Sequence, residues 1–221
     1  MLQRYVTKGL ISISGVLIVM FMHGTVLHAD TTPPEGTDKA ELGFPPAGTK
    51  WVRKIVVHGK NIIITRTYTV LEESSHGGKP VYRISDGAKI SLFDKATRNL
   101  TADVRAGEEL NSASPYVPAY DFPLWVGKSW ETTYAYNDRE REATFENIVW
   151  RGRVTAYEDV TVPAGTFKTF RVEGTDGGGV KVILWYSPKL NIAVKSSLER
   201  LPGHYIGPGK FTSELTEYPA K

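Results

Sequence analysis

The side chains that usually carry chemistry are sparse in this sequence and poorly spaced for it. There is no cysteine, which excludes disulfides, a thiolate nucleophile, a cysteine metal centre and a lipid-modified N-terminal cysteine. Beyond the N-terminal leader the histidines are His58, His76 and His204. Each falls in a turn or loop pattern, and no two have the spacing of a metal pair on a helix, so they read as solvated loop histidines. Carboxylates gather at Glu72–Glu73, Glu108–Glu109 and Asp138–Glu142. A glycosidase needs two carboxyls about 5–10 Å apart across a cleft, which sequence spacing does not show; a solvated charged face is the better reading of these runs. There is no Gly-x-Ser-x-Gly elbow. Gly177–Gly179 is flanked by strand patterns, with no helix following, and so is no phosphate loop. No catalytic residue, metal ligand or cofactor is expected.

Aromatic residues are the better candidates for a binding role. Phe122-Pro-Leu-Trp-Val-Gly-Lys-Ser-Trp130 holds two tryptophans in a Pro-led approach, a Gly turn and a strand start. Trp130 lies on the alternating face of the following strand and reads as core. Trp125 precedes that strand and suits either a core anchor or a ligand cavity. Trp125, Trp150 and Tyr186 are carried forward as ligand-binding candidates. Val162-Pro-Ala-Gly-Thr-Phe167 links two strands: Pro163 presets a turn and Gly165 supplies backbone freedom, so the motif reads as a tight corner. Leu184-Trp-Tyr-Ser-Pro188 ends a strand in a Pro-led turn. Trp130, Pro163, Gly165, Phe167, Trp185 and Pro188 are therefore read as structural.

The elements that must hold these residues are strands. Trp51–Val57 and Ile62–Leu71 are β-branched runs around a Gly-containing turn, which predicts a hairpin. Val81–Ser85 and Lys89–Asp94 extend it into a meander. From Thr97 to Ala119 the pattern fades, with one helical turn expected over Arg105–Asn111 and a loop over Ser112–Ala119. Strand signals return over Lys128–Tyr136, Glu142–Val149, Arg151–Val162, Phe167–Glu173, Val180–Ser187, Ile192–Leu198 and Phe211–Glu217. The expected class is all-β or mainly β: a curved antiparallel sheet of about nine to eleven short strands, as a half-barrel or open barrel, with little helix outside the leader. The expected organisation is a leader over 1–29, a flexible lead-in over 30–49 rich in Pro and Gly, and one β-rich domain over 50–221. An internal boundary is possible near 105–120.

Met1–Ala29 reads as a signal peptide: Arg4 and Lys8, an apolar run from Leu10 to Met22, then a cleavage site after Ala29. An uncleaved anchor is the competing reading, weakened by Ser12, Ser14, His23, Gly24 and Thr25. Either reading puts the domain outside the cytoplasm, in the periplasm or secreted. Without the leader, 25 Lys and Arg face 24 Asp and Glu. That balance gives no electrostatic case for nucleic acid or an anionic membrane surface, and no membrane span is expected in the mature form.

The ordered set "FPL-x-VGK-x-W", "V-x-VPAGTF" with an acidic residue just upstream, and "WYSP" resembles a group of exported bacterial domains of unknown function. Here these are Phe122–Trp130, Glu158–Phe167 and Trp185–Pro188, within a match covering roughly residues 115–200. The resemblance implies a curved antiparallel sheet similar to the half-barrels of periplasmic lipoprotein carriers, which hold acyl chains on a concave face. It brings no catalytic residues and says nothing of residues 30–110. The expected function is thus a non-catalytic binding module that holds an apolar small molecule or partner segment. One alternative is a structural accessory protein of the cell envelope, partnered with an envelope protein; a second is a carboxylate-based hydrolase.

Overall fold

A computed structural model describes residues 32–219; the expected leader and its cleavage site lie outside them. The described chain is all-β. Its strands are β1 (Lys50–Val57), β2 (Ile62–His76), β3 (Lys79–Ser85), β4 (Ile90–Asp94), β5 (Leu100–Arg105), β6 (Glu108–Val117), β7 (Ser129–Asp138), β8 (Ala143–Val162), β9 (Gly165–Asp176), β10 (Val180–Ser187), β11 (Ile192–Arg200) and β12 (Gly209–Glu217). The helical element among them is one 3-10 turn, Arg139–Arg141. Each strand pairs antiparallel with its neighbours in sequence, and β12 pairs with β1, from Val52↔Glu217 to Val57↔Phe211.

The sheet is therefore a closed barrel, not the half-barrel or open barrel expected from sequence. It has 12 strands, more than the nine to eleven expected. Two physical features account for the correction. First, the segment from 97 to 119 supplies β5 and β6 instead of a helical turn and a loop. Pro115 is tolerated there because the β5–β6 register jumps between Ala102↔Ser112 and Leu100↔Val117, so its missing N–H falls where the ladder is already interrupted. Second, closure pairs the backbone groups that an open sheet would leave on two edges. One strand count goes the other way: the two runs expected over 142–162 form the single strand β8, bent by a bulge between Val154 and Ala156.

The interior is filled unevenly. On the β7–β10 side the inward rows are large. Trp130, Tyr134, Trp150, Phe170 and Tyr186 form a buried cluster with Val154, Val172 and Leu124. Glycines opposite the tryptophans make room for them. A Cβ on Gly152 would lie 2.2 Å from the Trp130 ring, and one on Gly174 would lie 2.1 Å from the Trp150 ring. This alternation of large and small residues is how a barrel interior is packed without voids. On the β1–β5 side aromatic residues share the inward face with polar ones such as Arg53 and Ser91, and part of the interior is not filled.

The up-and-down order puts the turns after β1, β3, β5, β7, β9 and β11 at one end, here the mouth. The opposite end is plugged. Residues 40–49, within the segment expected to be a flexible lead-in, lie against it. Ala40 and Leu124 exchange both backbone hydrogen bonds at 2.9 Å, and the Gly48 N–H donates to the Val70 carbonyl at 2.8 Å. Phe44 stacks on Tyr82 with ring centroids 4.0 Å apart. The segment from Pro118 to Lys128 completes the plug, held by the Trp130 indole N–H donating to the Pro118 carbonyl at 3.0 Å.

Candidate functional site

The unfilled part of the interior is a cavity of about 320 Å³, at the lower end of the range for small-molecule sites, roughly 300–1,000 Å³. Its walls come from the first four strands and from β11 and β12. The β1–β2 ladder runs without interruption, so directly opposite residues share a face. Trp51↔Tyr68, Arg53↔Arg66, Ile55↔Ile64 and Val57↔Ile62 form successive inward pairs from plug to mouth. Trp51 and Tyr68 are stacked, with ring centroids 5.7 Å apart. Ile84 of β3 and Phe93 of β4 face them on one side, and Ile192, Ser196 and Ser213 on the other. Phe44, Arg98 and Tyr120 form the floor.

Two arginines sit in this apolar setting. Arg53 is held by its own barrel wall: Nε donates to Ser213 Oγ at 2.7 Å and Nη1 to the Ala193 carbonyl at 2.6 Å, with a long contact of 3.4 Å from Nη2 to the Ser213 carbonyl. Burial lowers its pKa below the ordinary arginine value, against the pull of Tyr68 and Tyr120, but a guanidinium stays charged in any usual setting. Arg98 occupies a left-handed backbone position (φ 63°) in the β4–β5 turn, a conformation uncommon outside glycine. It sends its guanidinium inward to the Gly43 carbonyl at 2.6 Å, the Tyr186 hydroxyl at 2.8 Å and the Asn191 carbonyl. Neither arginine has a carboxylate partner among the described residues. Arg66, directly opposite Arg53, does: it pairs with Asp86 at 2.5 Å.

The Tyr120 hydroxyl between the two cations remains neutral. Burial pushes its pKa up to about 12, with Arg98 opposing, Tyr186 adding and Arg53 opposing. Tyr68 is raised by burial as well, with Arg53 opposing. The site thus offers positive charge, neutral hydroxyls and aromatic faces, and no acid–base pair.

Toward the mouth the character changes on the two sides. On the β2–β6 side lies a second space lined by Arg66, Asp86, Lys89, Arg105 and Glu140, which shares Ile55 and Tyr68 with the cavity. On the β1–β12 side the inward row is apolar: Ile62, Val57, Phe211 and Leu198 pair in succession across β2, β1, β12 and β11. Ile62 is 45% exposed and Leu198 36%, which is unusual for inward-facing side chains and marks this end as open.

The residues singled out from sequence lie elsewhere. Trp125, Trp150 and Tyr186 are all buried, and none lines the cavity. Trp125 lies under the Lys128 ammonium at 4.7 Å. Lys128 in turn donates to the carbonyls of Asp121 at 2.5 Å and Pro123 at 3.0 Å and pairs with the Asp121 carboxylate. The Phe122–Trp130 motif is thus a self-stapled plug. Trp150 packs against Gly174. Tyr186 comes nearest the site, because its hydroxyl accepts from Arg98 and donates to Asn191 Oδ1 at 3.0 Å. The corner at Pro163 and Gly165 docks on β12 through the Ala164 N–H and the Leu215 carbonyl, 3.2 Å. Phe167 and Trp185 pack with the buried cluster around Leu215. The Trp185 indole N–H donates to Glu158 at 2.9 Å, which ties the acidic residue upstream of one motif to the strand of the next. Pro188 follows β10 in the turn to β11.

The cavity residues Arg53, Arg98 and Tyr120 were not expected from sequence. A signal for Arg53 exists: it shares the period-two face of β1 with Trp51, Ile55 and Val57, so it is a charge on the apolar side of its strand. Arg98 and Tyr120 lie in connections and carry no such mark.

No known protein family and no curated protein matches this sequence. Solved structures that it is similar to include a provisionally assigned lipoprotein from Parabacteroides distasonis, at 15% identity and TM-score 0.39, over 79% of this chain and 97% of that one. A provisionally assigned exported protein with a YmcC-like fold from Bacteroides fragilis has 12% identity and TM-score 0.42, over 82% of this chain and 100% of that one. The hypothetical lipoprotein YmcC from Escherichia coli has 9% identity and TM-score 0.41, over 78% and 85%. Similarity at this level places no ligand, partner or compartment on this chain.

Proposed function

We propose that this protein is a non-catalytic binding module that works outside the cytoplasm and holds a small, largely apolar molecule inside its barrel. The observation that carries the reading is the cavity itself, about 320 Å³ walled by Trp51, Tyr68, Ile84, Phe93 and Ile192. A natural core would fill such a space, because packed interiors tolerate few voids larger than a water molecule. The exported location rests on the leader read from residues 1–29.

Native mass spectrometry of protein purified gently from its host tests the reading. The expected result is a reproducible extra mass that is lost on denaturation. Ser196→Trp, which places a large side chain in the cavity, should remove that mass while thermal unfolding stays cooperative. A clean apo mass, together with no binding of the neutral apolar dye N-phenyl-1-naphthylamine, would overturn it.

A further inference from the structure

We infer that the ligand is an amphiphilic carboxylate, such as a medium-chain fatty acid, with its anionic head on Arg53 and its apolar body toward the mouth. This rests on the cavity reading above and adds the charge and direction of the occupant.

Three observations carry it. The first is the imbalance of charge. Arg53 and Arg66 stand directly opposite each other on one face of the β1–β2 ladder, an arrangement of like charges that is unfavourable by itself. Asp86 neutralises Arg66, and among the described residues no carboxylate neutralises Arg53. A cation left inside a barrel without a partner is costly, so an anion from outside would complete the site.

The second is unused donor capacity. A guanidinium has five N–H groups. The barrel wall engages Nε, one N–H of Nη1 and, at 3.4 Å, one of Nη2. One N–H on each terminal nitrogen is left, which suits a carboxylate held by two parallel bonds. The Tyr68 and Tyr120 hydroxyls, kept neutral by burial, have no hydrogen-bond partner among the described residues and can donate to the same head.

The third is polarity along the barrel axis. Above Arg53 the inward pairs become Ile55↔Ile64 and then Val57↔Ile62, continued sideways by Phe211 and Leu198. A chain whose head is at Arg53 would cover this exposed apolar row. The reverse orientation would leave Arg53 uncompensated, because the cations toward the mouth, Arg66, Lys89 and Arg105, already have carboxylate partners in Asp86, Asp103 and Glu140.

The test is displacement of bound N-phenyl-1-naphthylamine from the purified protein by decanoate and, separately, by its neutral methyl ester. Decanoate should displace the dye at about tenfold to a hundredfold lower concentration, the advantage of a charge-assisted hydrogen bond. Arg53→Gln should bring the acid down to the ester, and Arg53→Lys should keep part of the difference. Thermal melts of both variants establish that they fold, and the acid-to-ester ratio in the unmodified protein needs no variant at all. Dye binding with equal displacement by acid and ester overturns the inference and leaves the cavity reading standing. No binding of the dye or of either competitor overturns both.

Discussion

At the scale of single residues, the molecule is organised by where it places its large and small side chains. Two tryptophans on the filled side face glycines on the neighbouring strand, and the ring positions leave no space for a methyl group. Gly152→Ala and Gly174→Ala should each destabilise the barrel by about 1–3 kcal/mol, the usual cost of overpacking. Gly177, whose added Cβ would meet nothing closer than 3.8 Å, is the control, and Gly177→Ala should shift stability by less than about 0.5 kcal/mol. Urea midpoints for the three variants check this; equal effects would mean that the Trp–Gly contacts do not set the packing. Lys128 makes a second residue-scale prediction. It is only 4% exposed, and its ammonium serves two backbone carbonyls that have no other role in a ladder. Lys128→Met keeps the stem and removes the donor, so it should cost about 1–3 kcal/mol through unsatisfied acceptors, measured as a fall in the same midpoint.

At the scale of elements, the connection from β11 to β12 reaches across to the turn after β7. The Tyr205 hydroxyl donates to Asp138 Oδ2 at 2.7 Å, and Arg141 pairs with the same oxygen at 2.9 Å. Phe145 packs on the Tyr205 ring, 4.7 Å between centroids. Burial alone would raise the Asp138 carboxyl; the bonds from Tyr205 and Arg141, with the Arg141 charge, outweigh it and hold the group below the ordinary carboxylate range. Asp86 is lowered in the same way, with burial opposed by the Lys89 and Ala88 N–H groups and by Arg66. A carboxyl whose folded pKa is depressed stabilises the fold fully above its unfolded value, near 3.9, and loses that contribution as the pH falls through the folded value. Stability should therefore be flat with respect to these two groups above about pH 5 and should fall below about pH 4. Asp138→Asn should lower the urea midpoint at pH 7 and reduce the acid-induced drop; an unchanged drop would mean that the latch contributes nothing. Most of these elements are legible in the sequence, because Trp51–Val57, Lys128–Tyr136 and Val180–Ser187 carry β-branched or strictly alternating patterns. The strands β5 and β6 were not. Asn111-Ser-Ala-Ser-Pro-Tyr116 has neither apolar alternation nor a proline-free run, and its strand state depends on neighbours on both sides. The site was illegible for a related reason. Sequence motifs drew attention to aromatics dense along the chain, whereas the cavity is assembled from residues scattered over β1–β4, β11 and β12 and from Phe44, Arg98 and Tyr120 in connections.

At the scale of the whole molecule, closure decides what the interior can be. A half-barrel would present its concave face to solvent and would leave two strands with unpaired backbone groups. Here β12 returns to β1 along six paired positions with one bulge between Val52 and Arg53, so neither terminal strand is an edge. That pairing also builds the site. Arg53 is oriented by Ser213 of β12 and by the Ala193 carbonyl of β11, contacts across sequence separations of 160 and 140 residues that an open sheet could not make. Amide hydrogen exchange separates the two architectures. In a closed barrel the amides of β1 and β12 open only with the global unit, so their protection should match that of β8 and β9, whose ladder is the longest in the barrel. In an open sheet alternate amides of β1 and β12 would face solvent and exchange early. The same measurement on Arg53→Gln links the two scales. Loss of the guanidinium removes the side-chain ties to β11 and β12 but leaves the ladder hydrogen bonds, so β1 protection should fall by no more than the global stability does. A selective loss at β1 and β12 would instead mean that Arg53 is the clasp of the barrel, and its unpaired charge would then be the cost of closure, not an invitation to a ligand.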